Sequence, residues 1–176
     1  YSCLPNKGSE EKIGWSIPLE SSKHNNVFVL TKEEHCDKIE QYVLEHGVLN
    51  IRFYYVGIPK IYKSVFRGMA YSGRLNIWHR YAYPVAQQIC ETENIDVIHQ
   101  ITPIEFRSIG DYGKIPNIKF VCGPIGGGEY VPRGLIRYAD LHVVEEFLRG
   151  TLNHIARWRL QKRKQFRYCD ALLYAN

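Results

Sequence analysis

Five short apolar runs rich in strand formers alternate with longer stretches of helical spacing, and this alternation restricts the fold more than any other feature. The runs are 27–31 (VFVLT), 49–56 (LNIRFYYV), 95–101 (IDVIHQI), 118–122 and 171–174. Between them, Ser9 followed by Glu10 and Glu11 reads as a helix N-cap with acids in the first turn. Pro18 sits badly inside that helix and implies a kink, or a second start capped by Ser16. Residues 33–46 are predicted helical, with Ile39, Val43 and Leu44 on one side and Gly47 as the stop. A long helix is predicted over 70–92, where Tyr71, Leu75, Trp78, Tyr81, Val85 and Ile89 keep helical spacing. Another is predicted over 141–167 with Val144, Leu148, Leu152 and Ile155 inward. Residues 57–67 have room for a short helix, and 102–113 read as an irregular loop. Tyr1-Ser2-Cys3 reads as the tail of a strand that begins before the chain does. Strands alternating with helices require crossover connections. The expected class is therefore α/β: a Rossmann-like parallel sheet with helices on both faces.

The stretch from Asn117 to Gly134, NIKFVCGPIGGGEYVPRG, carries the strongest functional signal. Gly123-Pro124 is predicted to stop the strand, because proline lacks an amide donor and restricts its predecessor. Gly126, Gly127 and Gly128 then precede Glu129. Three adjacent glycines are entropically costly to order, and a backbone that must take positive φ or approach another surface closely accounts for them. Just past the carboxyl end of a strand is where open α/β sheets bind ligands. A tight turn without a ligand is the plain structural alternative.

Three loops should meet at that edge of the sheet: one with Lys7, Gly8 and Ser9, one after His99, and the glycine triplet. Such loops present backbone N–H groups and suit phosphate or sugar oxygens. The chain has no G-x-G-x-x-G, no P-loop and no D-x-D pair to carry a metal-bound nucleotide sugar. Five cysteines, an odd number without CxxC or His-paired spacing, read as reduced thiols and not as a zinc site. With 176 residues, 45% of them hydrophobic, one domain with a sizeable core is expected. No apolar run is long enough for a transmembrane helix, and no signal peptide opens the chain, which points to the cytoplasm. The net charge of +5 belongs to one segment: between Arg149 and Arg167 lie seven basic residues and no acid, and the other 16 basic and 18 acidic residues leave −2.

Taken together, PNKGSE at 5–10, Gly14-Trp15, VFVLT at 27–31, DVIHQIT at 96–102, GPIGGGE at 123–129 and YCDALLYAN at 168–176 resemble the N-terminal half of a family 4 retaining glycosyltransferase of the GT-B fold. The resemblance spans the chain in order, with GPIGGGE its most specific part. It implies that residues 1–176 form the acceptor-side domain. A second, donor-binding domain would lie outside the chain, which is then a fragment expected to be inactive alone. It also implies a nucleotide-sugar donor as co-substrate, a glycan or lipid-linked acceptor, and no metal or other cofactor. Carried over by position, Lys7, Gly8, Ser9, Thr102, Gly126, Gly127 and Gly128 become substrate-binding candidates, and His99 and Glu129 catalytic ones. The family pattern places a further histidine where this chain has Ile101, and Pro18 departs from the usual first helix. No nucleophile with an activating partner is evident. The competing reading is a non-catalytic binding module that docks a partner or an anionic membrane, at its inner face, through the basic helix at 149–167. Nucleic-acid binding lacks a stacking motif.

Overall fold

The computed structural model describes residues 1–47, 50–65, 68–69, 71–132, 134–135 and 143–175. Helix α1 (Ser9–Ser21) leads to strand β1 (Val27–Lys32), a 3-10 turn (Glu33–His35) and helix α2 (Cys36–His46). Strand β2 (Ile51–Val56), helices α3 (Lys60–Val65) and α4 (Tyr71–Thr92), and strand β3 (Val97–Gln100) follow. Strand β4 (Lys119–Ile125), helix α5 (Val143–Arg163) and strand β5 (Ala171–Tyr174) complete the order. Every strand pairing is parallel, so the chain is α/β and compatible with a Rossmann-like fold. The predicted residues Leu49, Ala70 and Leu141 lie outside the described residues.

The strands form two sheets, β1-β2 and β3-β4-β5, where the sequence suggests one. Between them lies a cavity of about 660 Å³, walled by 27–30 on one side and 95–102 on the other. Tyr1 to Cys3, expected to be a strand tail, form no strand ladder and line this cavity. Side chains hold them instead. The Thr31 hydroxyl donates to the Tyr1 carbonyl (3.0 Å), and the Ser2 amide donates to the Thr102 hydroxyl (3.0 Å).

Two apolar clusters sit on these sheets. In the first, Trp78, Ala82 and Ala86 of α4 meet Phe120, Cys122 and Ile125 of β4, with Leu160 of α5 closing one side. Burying Phe120 contributes about 2–3 kcal/mol, and the Trp78 indole N–H is satisfied by the Val56 carbonyl at 3.2 Å. In the second, Trp15 of α1 stacks on Phe53 of β2 (5.6 Å between centroids) beside Ile39 of α2. All five thiols are free. Burial pushes Cys3 up to about 12, and a hydrogen bond that the Cys122 thiol donates to Cys169, with burial second, raises Cys122.

Several local expectations are corrected. Gly8, with extended backbone and no side-chain cap bond, precedes the first helical residue, and Ser9 does not act as the cap. The first-turn carboxylate of Glu10 is drawn to another loop, described below. Helix α1 runs unbroken through Pro18, whose carbonyl accepts from the Ser22 amide at 2.9 Å, and no second start occurs at Ser16. Leu44 is exposed, because it lies about 140° around α2 from the buried Ile39. Strand β4 passes through Gly123-Pro124 to Ile125. The pairing with β5 shifts register between Cys122 and Ile125, and an irregularity of that kind accommodates a residue without a donor. Helix α5 is turned the other way from its expected orientation. Asn153 and Leu160 face inward, while Val144, Leu148, Leu152 and Ile155 are exposed.

Glycine is required where α1 packs against residue 2. A Cβ on Gly14 would lie 1.8 Å from the Ser2 carbonyl oxygen and 3.2 Å from the Thr102 methyl. In an ordinary helix interior Gly→Ala stabilises by about 1 kcal/mol. Here Gly14→Ala is expected to destabilise by about 2 kcal/mol, lowering Tm by roughly 4–8 °C for a chain of this length. A thermal melt at or above that of the parent would contradict the packing of α1 against residue 2.

Two histidines are held neutral. His79 is buried against the Tyr112 hydroxyl (2.9 Å), and burial lowers it from 6.5 to about 3; His35, bonded to Thr31, is lowered to about 4, again chiefly by burial. An unfolded chain protonates both as pH falls through about 6.5, whereas the folded chain does not, so stability is lost downward from there. Each contributes a slope of about 1.4 kcal/mol per pH unit. His79→Asn is expected to remove one such slope, measured by urea denaturation at several pH values between about 6 and 4.5. An unchanged slope would contradict the burial of the neutral ring.

Candidate functional site

The carboxyl ends of β3 and β4 carry the loops that the sequence singles out. The backbone of one residue, Ile104, ties them together. The Ile104 amide donates to Glu10 Oε1 at 2.6 Å, and the Ile104 carbonyl accepts from the Gly126 amide at 2.6 Å. Glu10 lies in the first turn of α1, directly after Lys7, Gly8 and Ser9, so Ile104 joins the first loop to the glycine triplet. The second oxygen of Glu10 accepts from the Tyr71 hydroxyl (2.9 Å) and from Ser2 Oγ (3.4 Å). Burial, and then the neighbouring Glu10 carboxylate, raise Tyr71, which keeps its phenol a donor.

The triplet is anchored on both sides. Gly126 forms a parallel bridge with Glu105, and its carbonyl accepts from the Phe106 amide at 3.2 Å. The Gly127 carbonyl accepts from Arg107 (3.4 Å) and the Gly128 carbonyl from Arg157 of α5 (3.2 Å). Gly127 has φ +78, and a Cβ there would meet nothing within 4 Å. Among the described residues, no acceptor bonds the amides of Gly127, Gly128 or Glu129. Three successive free N–H groups at a strand's carboxyl end can receive anionic or sugar oxygens.

Arg107 is itself fixed. Its Nε and one terminal nitrogen donate to Asn153 Oδ1 at 2.8 and 2.6 Å, and another nitrogen reaches Glu105 Oε2 at 3.2 Å. Glu105 Oε1 in turn accepts from Ser108 (3.0 Å). Asn153 is completely buried on α5, and its Nδ2 has no partner among the described residues. Arg107 and Arg157 both lie over the Phe106 ring, and Arg157 also over Tyr130, so the loop rests on a layer of aromatic and guanidinium planes.

The other candidates are distributed as follows. Lys7, Gly8 and Ser9 are exposed at the start of α1. The Thr102 hydroxyl is engaged with the Ser2 backbone, accepting from its amide and donating to its carbonyl, which makes Thr102 a brace between chain start and loop. His99 donates through Nε2 to the Gly123 carbonyl at 2.7 Å, and Nδ1 is its other ring nitrogen. Glu129 is exposed, and Oε1 lies 3.9 Å from where a Cβ on Gly126 would stand, folded back over the triplet. Only His99 and Thr102 of these residues line the 660 Å³ cavity, which runs between the sheets and away from the glycine loop. Sequence reading missed Glu10, Ile104, Arg107, Asn153 and Arg157 as parts of the site. The spacing of Glu105 and Arg107, two charges within a loop directly after a strand, was the available signal.

Comparison of the chain with protein-family models, curated proteins and solved structures finds no match. Among the described residues no helix is long and apolar enough to cross a membrane.

Proposed function

We propose that the chain is the acceptor side of a retaining glycosyltransferase. It would move a sugar from a nucleotide-sugar donor to a hydroxyl of a glycan or lipid-linked acceptor, in the cytoplasm. The observation that supports this reading is the row of free amides at Gly127, Gly128 and Glu129, fixed to the first loop through Ile104. In such a transfer the bond from the anomeric carbon to the diphosphate oxygen breaks, and its electron pair departs with the diphosphate. The acceptor oxygen takes the vacated position on the same face of the sugar and gives up its proton to the departing diphosphate. Donors fixed beforehand, at the place where charge develops on the leaving group, stabilise the transition state without having to reorganise. The amides of the triplet suit that task because Arg107 and Arg157 hold the loop's carbonyls. Glu129, exposed over the triplet, is the group available to orient an acceptor or sugar hydroxyl. His99 is assigned the same kind of contact through Nδ1. The donor's nucleotide would be held mainly by a second domain, which the family resemblance implies.

Gly127→Val in the complete protein tests this reading. Positive φ makes the substitution cost about 1–2 kcal/mol, and the open space around the Cβ lets the domain stay folded. Sugar transfer per folded molecule is expected to fall on the order of a hundredfold, because the branched side chain blocks close approach to the amides. Initial rates and thermal melts on the same preparation decide the matter. A variant that melts lower yet keeps full activity per folded molecule would reduce the triplet to a turn.

A further inference from the structure

Helix α5 docks on the body of the protein by the side that carries Asn153 and Leu160. Asn153 and Leu160 are buried, Gly150 and Ala156 are half-buried beside them, and Asn153 and Arg157 bond the loops beneath. The opposite side carries Val144 (65% exposed), Phe147 (75%), Leu148 (56%), Leu152 (58%), Ile155 (43%) and Trp158 (55%). At 3.6 residues per turn these six fall within an arc of about 140°, in a stripe about 21 Å long. An apolar stripe of this extent on a surface marks an interaction site.

Charge indicates what covers it. Arg159 and Lys162 stand on the same arc at its carboxyl-terminal end, and Arg163, Lys164 and Arg167 follow. Among the described residues Arg159, Lys162, Lys164 and Arg167 make no ion pair, whereas Arg149 is taken by Glu146 and Arg163 lies 3.9 Å from Asp111. Lys162 lies over the Trp158 ring at 4.4 Å, an aromatic and a long cation side by side, as at the boundary between lipid headgroups and acyl chains. The acids of α5, Glu145 and Glu146, are both in its first turn, and Glu146 is also bonded by the Val131 amide. Against the same helix of a second copy these four cations would meet at most Glu145 and Glu146, of which Glu146 is already paired with Arg149.

We propose that this face of α5 lies in the plane of an anionic lipid surface. The six apolar side chains enter the headgroup–acyl boundary, and Arg159, Lys162, Lys164 and Arg167 meet lipid phosphates. The assignment stands on α5 alone and is independent of the reading of the glycine loop.

Trp158 supplies a local probe, since the chain's other two tryptophans, Trp15 and Trp78, are buried. Titrating the protein with phosphatidylcholine vesicles containing phosphatidylglycerol is expected to shift Trp158 emission to the blue. Added salt should reverse the shift, because screening shortens to about 8 Å at physiological ionic strength. Arg159→Gln, Lys162→Gln and Lys164→Gln together are expected to weaken binding on the order of a hundredfold, about fivefold for each cation removed. Phe147→Ser with Leu148→Ser should abolish the shift with no change in circular dichroism, because both side chains are exposed. Three results would each overturn the proposal. They are an absent shift, equal binding to pure phosphatidylcholine, and a dimer in solution that Phe147→Ser with Leu148→Ser dissociates.

Discussion

The two backbone hydrogen bonds of Ile104 hold the loops of the candidate site together. Its amide is taken by a carboxylate in the first turn of α1, and its carbonyl by the first glycine of the triplet. A part-buried N–H bonded to a carboxylate is a strong contact, and leaving it unpaired costs about 1–3 kcal/mol. Through these two bonds the exposed loop of Lys7 to Ser9 and the glycine loop keep a fixed relation, although they are more than a hundred residues apart. Thr102 adds the neighbouring link by bonding the Ser2 backbone, and Gly14 lets α1 come close enough for that link to exist. The candidate site is thus a consequence of how α1 seats against the loop after β3.

The other wall of the site comes from α5, and here polar contacts take precedence over the hydrophobic pattern. Asn153 goes inward, where its oxygen accepts two bonds from Arg107, which in turn holds the triplet. That orientation turns the apolar arc outward. One arrangement therefore accounts both for the fixed glycine loop and for the exposed stripe.

What the sequence made legible follows from periodicity. The α/β class, the parallel order and four of the long elements could be read from runs of VFVLT type and from the spacing of Leu75, Trp78 and Ile89. The orientation of α5 could not. A period of 3.6 reveals which face is apolar, not which face is buried, and the deciding partner, Arg107, lies 46 residues away. Reading Gly123-Pro124 as a stop failed for a similar reason, since the register shift that accommodates the proline belongs to the pairing with β5. Of the candidate site, the position of the glycine triplet was legible, because the strand-forming run at 118–122 places it at a strand's carboxyl end. Glu10 was legible only as a helix-starting acid, since nothing local distinguishes a carboxylate that caps its own helix from one that reaches another loop. The division into two sheets around Tyr1 to Cys3 likewise depends on side-chain bonds from Thr31 and Thr102, which no pattern in the first residues announces.

The central claim is that a glycine loop fixed through Ile104 presents free amides to an anionic group. Backbone amide shifts of isotopically labelled protein, followed during titration with inorganic pyrophosphate, test it most directly. The account predicts that Gly127, Gly128 and Glu129 move together and saturate, and that Glu10→Ala weakens the response by freeing the loop. Those three amides remaining still while pyrophosphate shifts signals elsewhere would contradict it.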